Sequence, residues 1–293
     1  GVTVQLVLFH TPVDGVERTI RALARCAEHG WRDGRTSAFT VSIGDCSPAP
    51  VLDAARLDAL RAELPALHAL RYEFFGENLG SGGGHNRLLQ SVDTQLVVTS
   101  NPDVVPDATA VSALAARFHD PTIAAVEAKQ IPIEHPKRYD ERTGDTSWVT
   151  TAFCAFRTEA LRDVDGFDAE HFFLHGDDVD VSWRLRARGH RVVVQPSAVV
   201  FHDKRLKRRE WESTAAERHH SLLGALMLRR RWQGVEAAAT LRDQMRSWDL
   251  EHVHAAVDEY EAREVEGRLP DPVEDPSVAE FVGDAYAEHR FAL

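Results

Sequence analysis

The sequence predicts an α/β fold: a doubly wound, mostly parallel sheet with helices on both faces, followed by a C-terminal helical extension. Over the first two thirds, short apolar runs alternate with stretches whose apolar residues recur at helical spacing. That βαβα order, joined by right-handed crossovers, makes parallel strands with helices on either face. From Lys204 onward the strand signals stop and long helical patterns take over. With 293 residues, 43% hydrophobic and 27% charged, the chain can bury a full core in one large domain plus an appendage.

The elements follow in order. "TVQLVLFH" is a buried strand, and "GVERTIRALARCAEHG" a helix ending on Gly30. "AFTVSIGD" is a second strand, "VLDAARLDALRAEL" a helix stopped near Pro65, and "LRYEFFG" a third strand. "GSGGGHNRLLQSV" reads as a glycine loop opening a helix, "TQLVVTSN" as a fourth strand and "DATAVSALAARFHD" as its helix. After Phe118 the alternation loosens. "IAAVEAKQIPI" and "TSWVTTAFCAFRTEAL" suggest further strands with a following helix, and "RVVVQPSAVVFH" one or two late strands. "REWESTAAERHHSLLGALMLRRRW" and "LRDQMRSWDLEHVHAAVDEYEAREVEG" are long helices, and "LPDPVEDPS" precedes a short terminal one. Ligands on such sheets bind beyond the carboxyl ends of the strands. Here those ends are His10-Thr11-Pro12, Gly44-Asp45-Cys46-Ser47, Glu77-Asn78 and Asn101-Pro102-Asp103.

Charge and cysteine usage narrow the function classes. The net charge of −12 is concentrated at the end: residues 249–293 hold 13 acidic residues against 3 arginines, leaving −2 for the rest. With no basic excess and no basic patch interleaved with aromatics, a nucleic-acid partner is not expected. Cys26, Cys46 and Cys154 are scattered, which suggests neither a disulfide framework nor a zinc knuckle and points to a reducing cytoplasm. No apolar run reaches the ~18 residues that span a bilayer, and the first residues lack a signal-peptide pattern.

Several motifs carry chemistry beside a plainer reading. "GSGGGHN" follows the third strand rather than the first, which argues against a dinucleotide fingerprint; it is either a simple turn or a place where backbone approaches a phosphate or sugar. "VVTSNPDVVPD" is a strand ending in a turn, or a carboxylate aimed at a divalent metal. His202 ends a late strand. "HGDDVDVSWRLRARGH" places Asp177, Asp178 and Asp180 at a helix start, where the dipole favours acids; Asp180 also stands four residues before Arg184. Asp103, the Asp177/Asp178 pair and His202, each at the end of an apolar element, form a constellation that chance explains less well.

At residues 3–203 the chain resembles the inverting nucleotide-sugar glycosyltransferases of family 2, which have the GT-A fold, and most closely their rhamnosyltransferase-like branch. "VLFHTP", "IGDCS", "ENLGSGGGHNRLL", "TSNPDV", "FRTEALRDVDGFDAEHFFLHGDDVDVSWRLRARGH" and "QPSAVVFH" carry the resemblance in one order. It implies a catalytic domain over residues 1–204, divided into a nucleotide-binding half (1–118) and an acceptor/catalytic half (119–204). Residues 205–293 form the helical extension with its acidic tail. It further implies that Asp45 and the backbone near Thr11 contact the base or ribose, and that Asn78 and the loop from Gly80 to Asn86 border the nucleotide and sugar. Asp103 matches the metal-reaching acid of an Asp-x-Asp motif, with Asn101 in place of its first acid, and His202 the second metal ligand. Asp178 matches the catalytic base, and Asp177 replaces the neighbouring Glu, contacting donor or acceptor hydroxyls. Trp148 falls on the acceptor wall, or is a core tryptophan.

The chemistry so implied is transfer of a sugar, from dTDP-rhamnose or a UDP-sugar, to a hydroxyl of a glycan, lipid-linked or small-molecule acceptor with inversion. Oxygen and imidazole ligands suit Mn²⁺ or Mg²⁺. The basic run "KRLKRR" and the following apolar helix suggest peripheral contact at the inner face of a membrane through residues 204–231. Alternatively that apolar face packs on the catalytic domain or makes a homodimer. The rivals are a nucleotide-sugar pyrophosphorylase, whose glycine-rich, arginine-containing loop should follow the first strand but is missing from "HTPVDG", and a non-catalytic nucleotide- or glycan-binding relative.

Overall fold

In a computed structural model of the protein, residues 1–32, 34, 38–133, 136–202, 213–283 and 285–286 are described. The chain begins β1 (Val2–Leu8), α1 (Val13–Arg32), β2 (Phe39–Asp45), α2 (Ala54–Glu63), β3 (Ala69–Phe74), α3 (Gly80–Leu89), β4 (Leu96–Ser100). It continues β5 (Val104–Pro106), α4 (Ala110–Ala115), β6 (Ile123–Ile131), β7 (Phe153–Arg157), α5 (Thr158–Asp163), α6 (Asp177–Ala187) and β8 (Arg191–His202). Three helices follow: α7 (Ala215–Gln233), α8 (Val235–Arg246) and α9 (Glu251–Val265).

The eight strands form one sheet in the order β3-β2-β1-β4-β7-β6-β8-β5. β1, β2, β3 and β4 are mutually parallel, as alternation of apolar strand and helix requires. Because β1 lies between β2 and β4, the winding reverses beside it, and a crevice opens at the carboxyl ends of those strands. The second half is mixed: β7 runs antiparallel to both neighbours, β8 is parallel to β6, and short β5 is antiparallel to β8. The expected doubly wound, mostly parallel sheet with a C-terminal helical extension is therefore what forms.

Three local expectations change. The glycines of "GSGGGHN" are not a loop; they are the first turns of α3. A side chain at Gly84 would stand 2.7 Å from Val7, and one at Gly82 2.9 Å from Phe167, so small residues let this helix press on β1 and on the 167 turn. That close packing compensates for the poor helix propensity of glycine. The acidic stretch from Leu241 is two helices broken at Ser247–Leu250. No helix forms at residues 278–283 and 285–286, where a terminal one was expected; the remaining positions lie outside the described residues.

The helical extension is bound into the fold through α6 and α7. Leu222, Leu223, Leu226, Met227, Leu228 and Trp232 of α7 are buried in one cluster with Trp183 and Val179 of α6 and Phe172 before it. The apolar face that suggested membrane contact is thus occupied within the chain; it packs on α6 and the segment before it, in line with the alternative reading. "KRLKRR" lies outside the described residues. Among the described residues, no helix is long and apolar enough to cross a membrane.

A polar core runs through this contact. Asp180, fully buried, accepts from Arg184 Nε (2.7 Å), Arg231 Nη1 (2.8 Å) and Trp232 Nε1 (3.1 Å). Arg231 also bonds Asp168, which His171 Nδ1 meets at 2.7 Å. Burial works against ionisation of Asp168, yet His171 and Arg231 hold its carboxyl well below the ordinary value. Replacing Arg231 with methionine keeps the stem but leaves Asp180 short of a cation. Breaking a buried pair this way costs about 3–5 kcal/mol, so denaturant unfolding of R231M should show a loss of that size; a loss below about 1 kcal/mol, the range of exposed ion pairs, would show the contact to be dispensable.

Candidate active site

The strand ends bring most of the expected residues to one edge of the sheet, but in different roles. β1 ends at Leu8, and a tight turn follows in which His10 has φ 50° and its N–H donates to Ser47 Oγ at 3.0 Å. The Thr11 hydroxyl accepts from Phe9 N at 3.3 Å. At the end of β2, Asp45 is fully buried. One carboxylate oxygen accepts from Ser47 N (2.9 Å), and the other from Val51 N (2.7 Å) and the Tyr72 hydroxyl. Asp45 therefore organises the 46–51 turn. Burial, and then the bond to Asp45, raises the Tyr72 hydroxyl to about 12, which keeps it a donor.

Asn78 is exposed, and its Oδ1 accepts from Gly80 N at 3.2 Å. Gly80 sits at φ 71°, where a side chain would strike the Phe173 carbonyl at 2.3 Å. Asn86 clasps a turn: its Nδ2 donates to Phe167 O (2.6 Å) and its Oδ1 accepts from Phe167 N (2.8 Å). With one bond from each group of its amide, Asn86 locks α3 to the Gly166–Phe167 turn, a structural role beside the expected donor contact.

The Asn101-Pro102-Asp103 turn is held from two sides. Thr19 Oγ1 of α1 donates to Pro102 O at 2.8 Å, and Asn101 N donates to Ala152 O at 2.9 Å. Val104 pairs with His202 across β5 and β8, and this register sets Asp103 Oδ1 3.2 Å from His202 Nε2. His202 is 2% exposed, while the Asp103 side chain retains 33% exposure, so the pair opens to solvent through the carboxylate. Among the described residues no third His, Cys, Asp or Glu joins them to enclose a metal. Two ligands with open positions fit a divalent cation completed by substrate phosphate and water. Asn101 adds no charge there.

The acid pair enters from α6. Gly176 precedes the helix at φ 88°, a left-handed conformation that turns the chain into Asp177. Val149 N donates to Ser182 Oγ (3.1 Å), and Ser182 Oγ to Asp178 O (2.6 Å). The segment from Val149 to Ala152 thus links the first turn of α6 to Asn101 on the turn that carries Asp103. Asp178 is half-buried and its Oδ1 accepts from Val179 N at 2.9 Å. Asp177 is 3% exposed, with its Oδ2 buried and without a hydrogen-bond partner. Burial, and then the charge of Asp178, pushes the Asp177 carboxyl well above the ordinary carboxylate value. The pair is therefore asymmetric: a buried Asp177, whose ionisation is disfavoured, behind a half-buried Asp178.

Trp148, expected on the acceptor wall, is 2% exposed; Lys137 Nζ stands 3.9 Å from the centroid of its ring, and Tyr286 meets it edge-on at 5.5 Å. Its burial matches the core-tryptophan reading.

Comparison with known proteins bears on this arrangement. A family model described as "Glycosyltransferase like family 2" matches residues 138–234, the stretch that holds the acid pair, His202 and Arg231. Two curated sequences, each a pre-mycofactocin glycosyltransferase of Mycobacterium tuberculosis (strains CDC 1551 / Oshkosh and ATCC 25618 / H37Rv), are 32% identical over 152 residues. That covers 45% of this chain, which spans 32% of the length of those relatives. Both likenesses are thus to glycosyltransferases, and each spans less than half of this chain. Among solved structures, a mannosyltransferase of Pyrobaculum calidifontis in complex with GDP-Man and Mn²⁺ superposes with a TM-score of 0.59 over 91% of this chain and 81% of that one, at 16% identity. GalNAc-T7 with UDP, GalNAc and Mn²⁺ gives 0.62 over 92% and 58%, at 10% identity. At such identities the likeness is one of fold, and the fold is of the GT-A type.

Sequence reasoning missed the residues behind His202. Gln130, Thr150 and Glu127 form a buried polar chain, read from the sequence only as strand. A glutamate amid the apolar run "IAAVEAK" was the available signal, since a charge there needs a partner.

The raised Asp177 value has a pH consequence. The folded state retains a proton that the unfolded chain releases near pH 4, so stability falls as pH rises upward from about 3.9. Unfolding free energies measured from pH 4 to 8 should show this contribution in the wild-type chain and lose it in D177N, whose amide has no proton to release; identical pH slopes for the two proteins would contradict the assignment.

Proposed function

We propose that the chain transfers a sugar from a nucleoside-diphosphate donor to an acceptor hydroxyl with inversion at the anomeric carbon. One observation carries the reading: an accessible carboxylate, Asp178, at the start of α6 is linked through Val149–Ala152 to the turn that presents Asp103 against His202. A sugar hydroxyl is a poor nucleophile at neutral pH, and a carboxylate within hydrogen-bond reach takes its proton as the new bond forms. Asp178 does this, on the face opposite the departing diphosphate. Asp177, whose ionisation is disfavoured by burial and by Asp178, stands behind it to contact a donor or acceptor hydroxyl.

Asp103 and His202 would hold Mn²⁺ or Mg²⁺, whose charge when bound offsets the charge gathering on the diphosphate. Asn101 makes the site less negative than two acids would. Thr11, Asp45, Asn78 and Gly80 shape the nucleotide side of the crevice: Asp45 holds the 46–51 turn, and the Asn78–Gly80 cap sets the approach of α3. We assign residues 1–204 to the catalytic unit and 205–293 to an extension that braces α6. The ligands bound in the similar structures, GDP-Man and UDP with Mn²⁺, support a nucleotide-sugar donor; dTDP-rhamnose and UDP-sugars are the preferred candidates here.

A thermal-shift panel of dTDP-rhamnose, UDP-sugars and GDP-sugars with Mn²⁺ tests this, because a bound ligand raises apparent stability with its affinity and concentration. At least one should raise the midpoint, and chelation should diminish the shift. With that donor, D178N should lower the rate of nucleoside-diphosphate release on transfer about 10²–10⁴-fold, with donor binding close to wild type. Near-normal turnover in D178N would rule out Asp178 as the base.

A further inference from the structure

Behind His202 runs a chain of buried hydrogen bonds with a fixed direction. His202 Nδ1 lies 3.2 Å from Gln130 Oε1, Gln130 Nε2 donates to Thr150 Oγ1 at 2.8 Å, and Thr150 Oγ1 donates to Glu127 Oε1 at 3.1 Å. Glu127 also accepts from Thr150 N at 3.0 Å and pairs with Lys137, whose ammonium donates to Trp148 O at 3.0 Å and lies over the indole. Gln130, Thr150, Glu127 and His202 are each at most 6% exposed.

The direction follows from what each group can do. The Glu127 carboxylate only accepts, so the single Thr150 hydroxyl hydrogen goes to it. The Thr150 oxygen can then only accept from Gln130, which forces Gln130 to present its carbonyl oxygen to His202. A carbonyl oxygen requires a hydrogen on Nδ1, and the neutral ring that carries it there has its electron pair on Nε2. Nε2 is the atom 3.2 Å from Asp103 Oδ1, and so the one placed to share a cation with that carboxylate.

We propose that Gln130, Thr150 and Glu127 are positioning residues that fix His202 in its Nδ1–H tautomer and so set the divalent-cation affinity of the Asp103–His202 site. This rests on the reading of that pair as the metal ligands. Hydrogen-bonded partners behind a metal-ligating histidine typically change affinity about 10–100-fold when removed.

The test is a Mn²⁺ titration, followed by the EPR signal of the free ion, with UDP, GDP and dTDP present in separate runs. Q130M, of similar shape but without an acceptor for Nδ1, should weaken Mn²⁺ binding about 10–100-fold. Q130E, which keeps an acceptor for Nδ1 but gives up the donor to Thr150, should lose less than Q130M, and nucleotide binding in EDTA should be unchanged in both. T150V, which frees the Gln130 amide to flip, should also weaken Mn²⁺ binding, and it serves if Q130M does not fold. Wild-type affinity in Q130M or T150V, or equal losses in Q130M and Q130E, would overturn the proposal. H202A and D103N separate the two levels. If neither weakens Mn²⁺ binding, the metal-site reading itself is wrong and the proposal falls with it; if they do while Q130M does not, only the positioning role is refuted.

Discussion

A buried carboxylate, Asp180, fixes where α6, the helix that carries the acid pair, begins. Removing a charge from water costs several kcal/mol unless donors surround it, and Asp180 is surrounded by Arg184 from its own helix and by Arg231 and Trp232 from α7. Arg184 continues to the Gly166 carbonyl at 2.9 Å, and Arg231 to Asp168. One acid thus ties together α6, the turn before it and the helical extension. The close approach of α7 has a backbone cause as well: a side chain at Gly224 would stand 2.6 Å from the His175 carbonyl, so only glycine lets α7 support the residues just ahead of Asp177. The extension is part of what orients the acid pair.

Given that anchor, the other parts of the crevice are built on rigid elements. α1 reaches across through Thr19 to hold the Asn101–Asp103 turn, and antiparallel pairing of β5 with β8 places His202 opposite it. At the end of β2, Asp45 accepts from two backbone N–H groups and a tyrosine hydroxyl, making a firm rim. At this edge the acid pair sets half-buried Asp178 in front of Asp177, whose buried Oδ2 has no hydrogen-bond partner.

How much of this was legible in the sequence depended on range. The parallel half of the sheet could be read because each strand is a local apolar run with its own helix beside it. The strand ends and their polar residues followed from that alternation. Asp180 was legible as a structural acid, since Arg184 is four residues away, but Arg231 lies 51 positions on and no local pattern links them. The helical state of "GSGGGHN" was hidden because glycine propensity argues for a loop, whereas contacts with Val7 and Phe167 decide the matter. Asn86 sat in the right motif and proved to be a clasp, because its partner, the Phe167 backbone, lies 81 residues away. The chain from His202 to Glu127 was invisible for the same reason: its members come from β6, β8 and the segment before β7, and only the sheet brings them together.

The account stands on the acid pair and the Asp103–His202 pair acting on one substrate. A crystal structure of D178N with Mn²⁺ and an intact nucleotide sugar tests that most directly. It should show the cation bound by the Asp103 carboxylate and His202 Nε2, the diphosphate on that cation, and residue 178 facing the anomeric carbon from the side opposite the diphosphate. A nucleotide seated away from the ends of β1, β2 and β4, or a sugar with residue 178 on the same side as the leaving diphosphate, would contradict it.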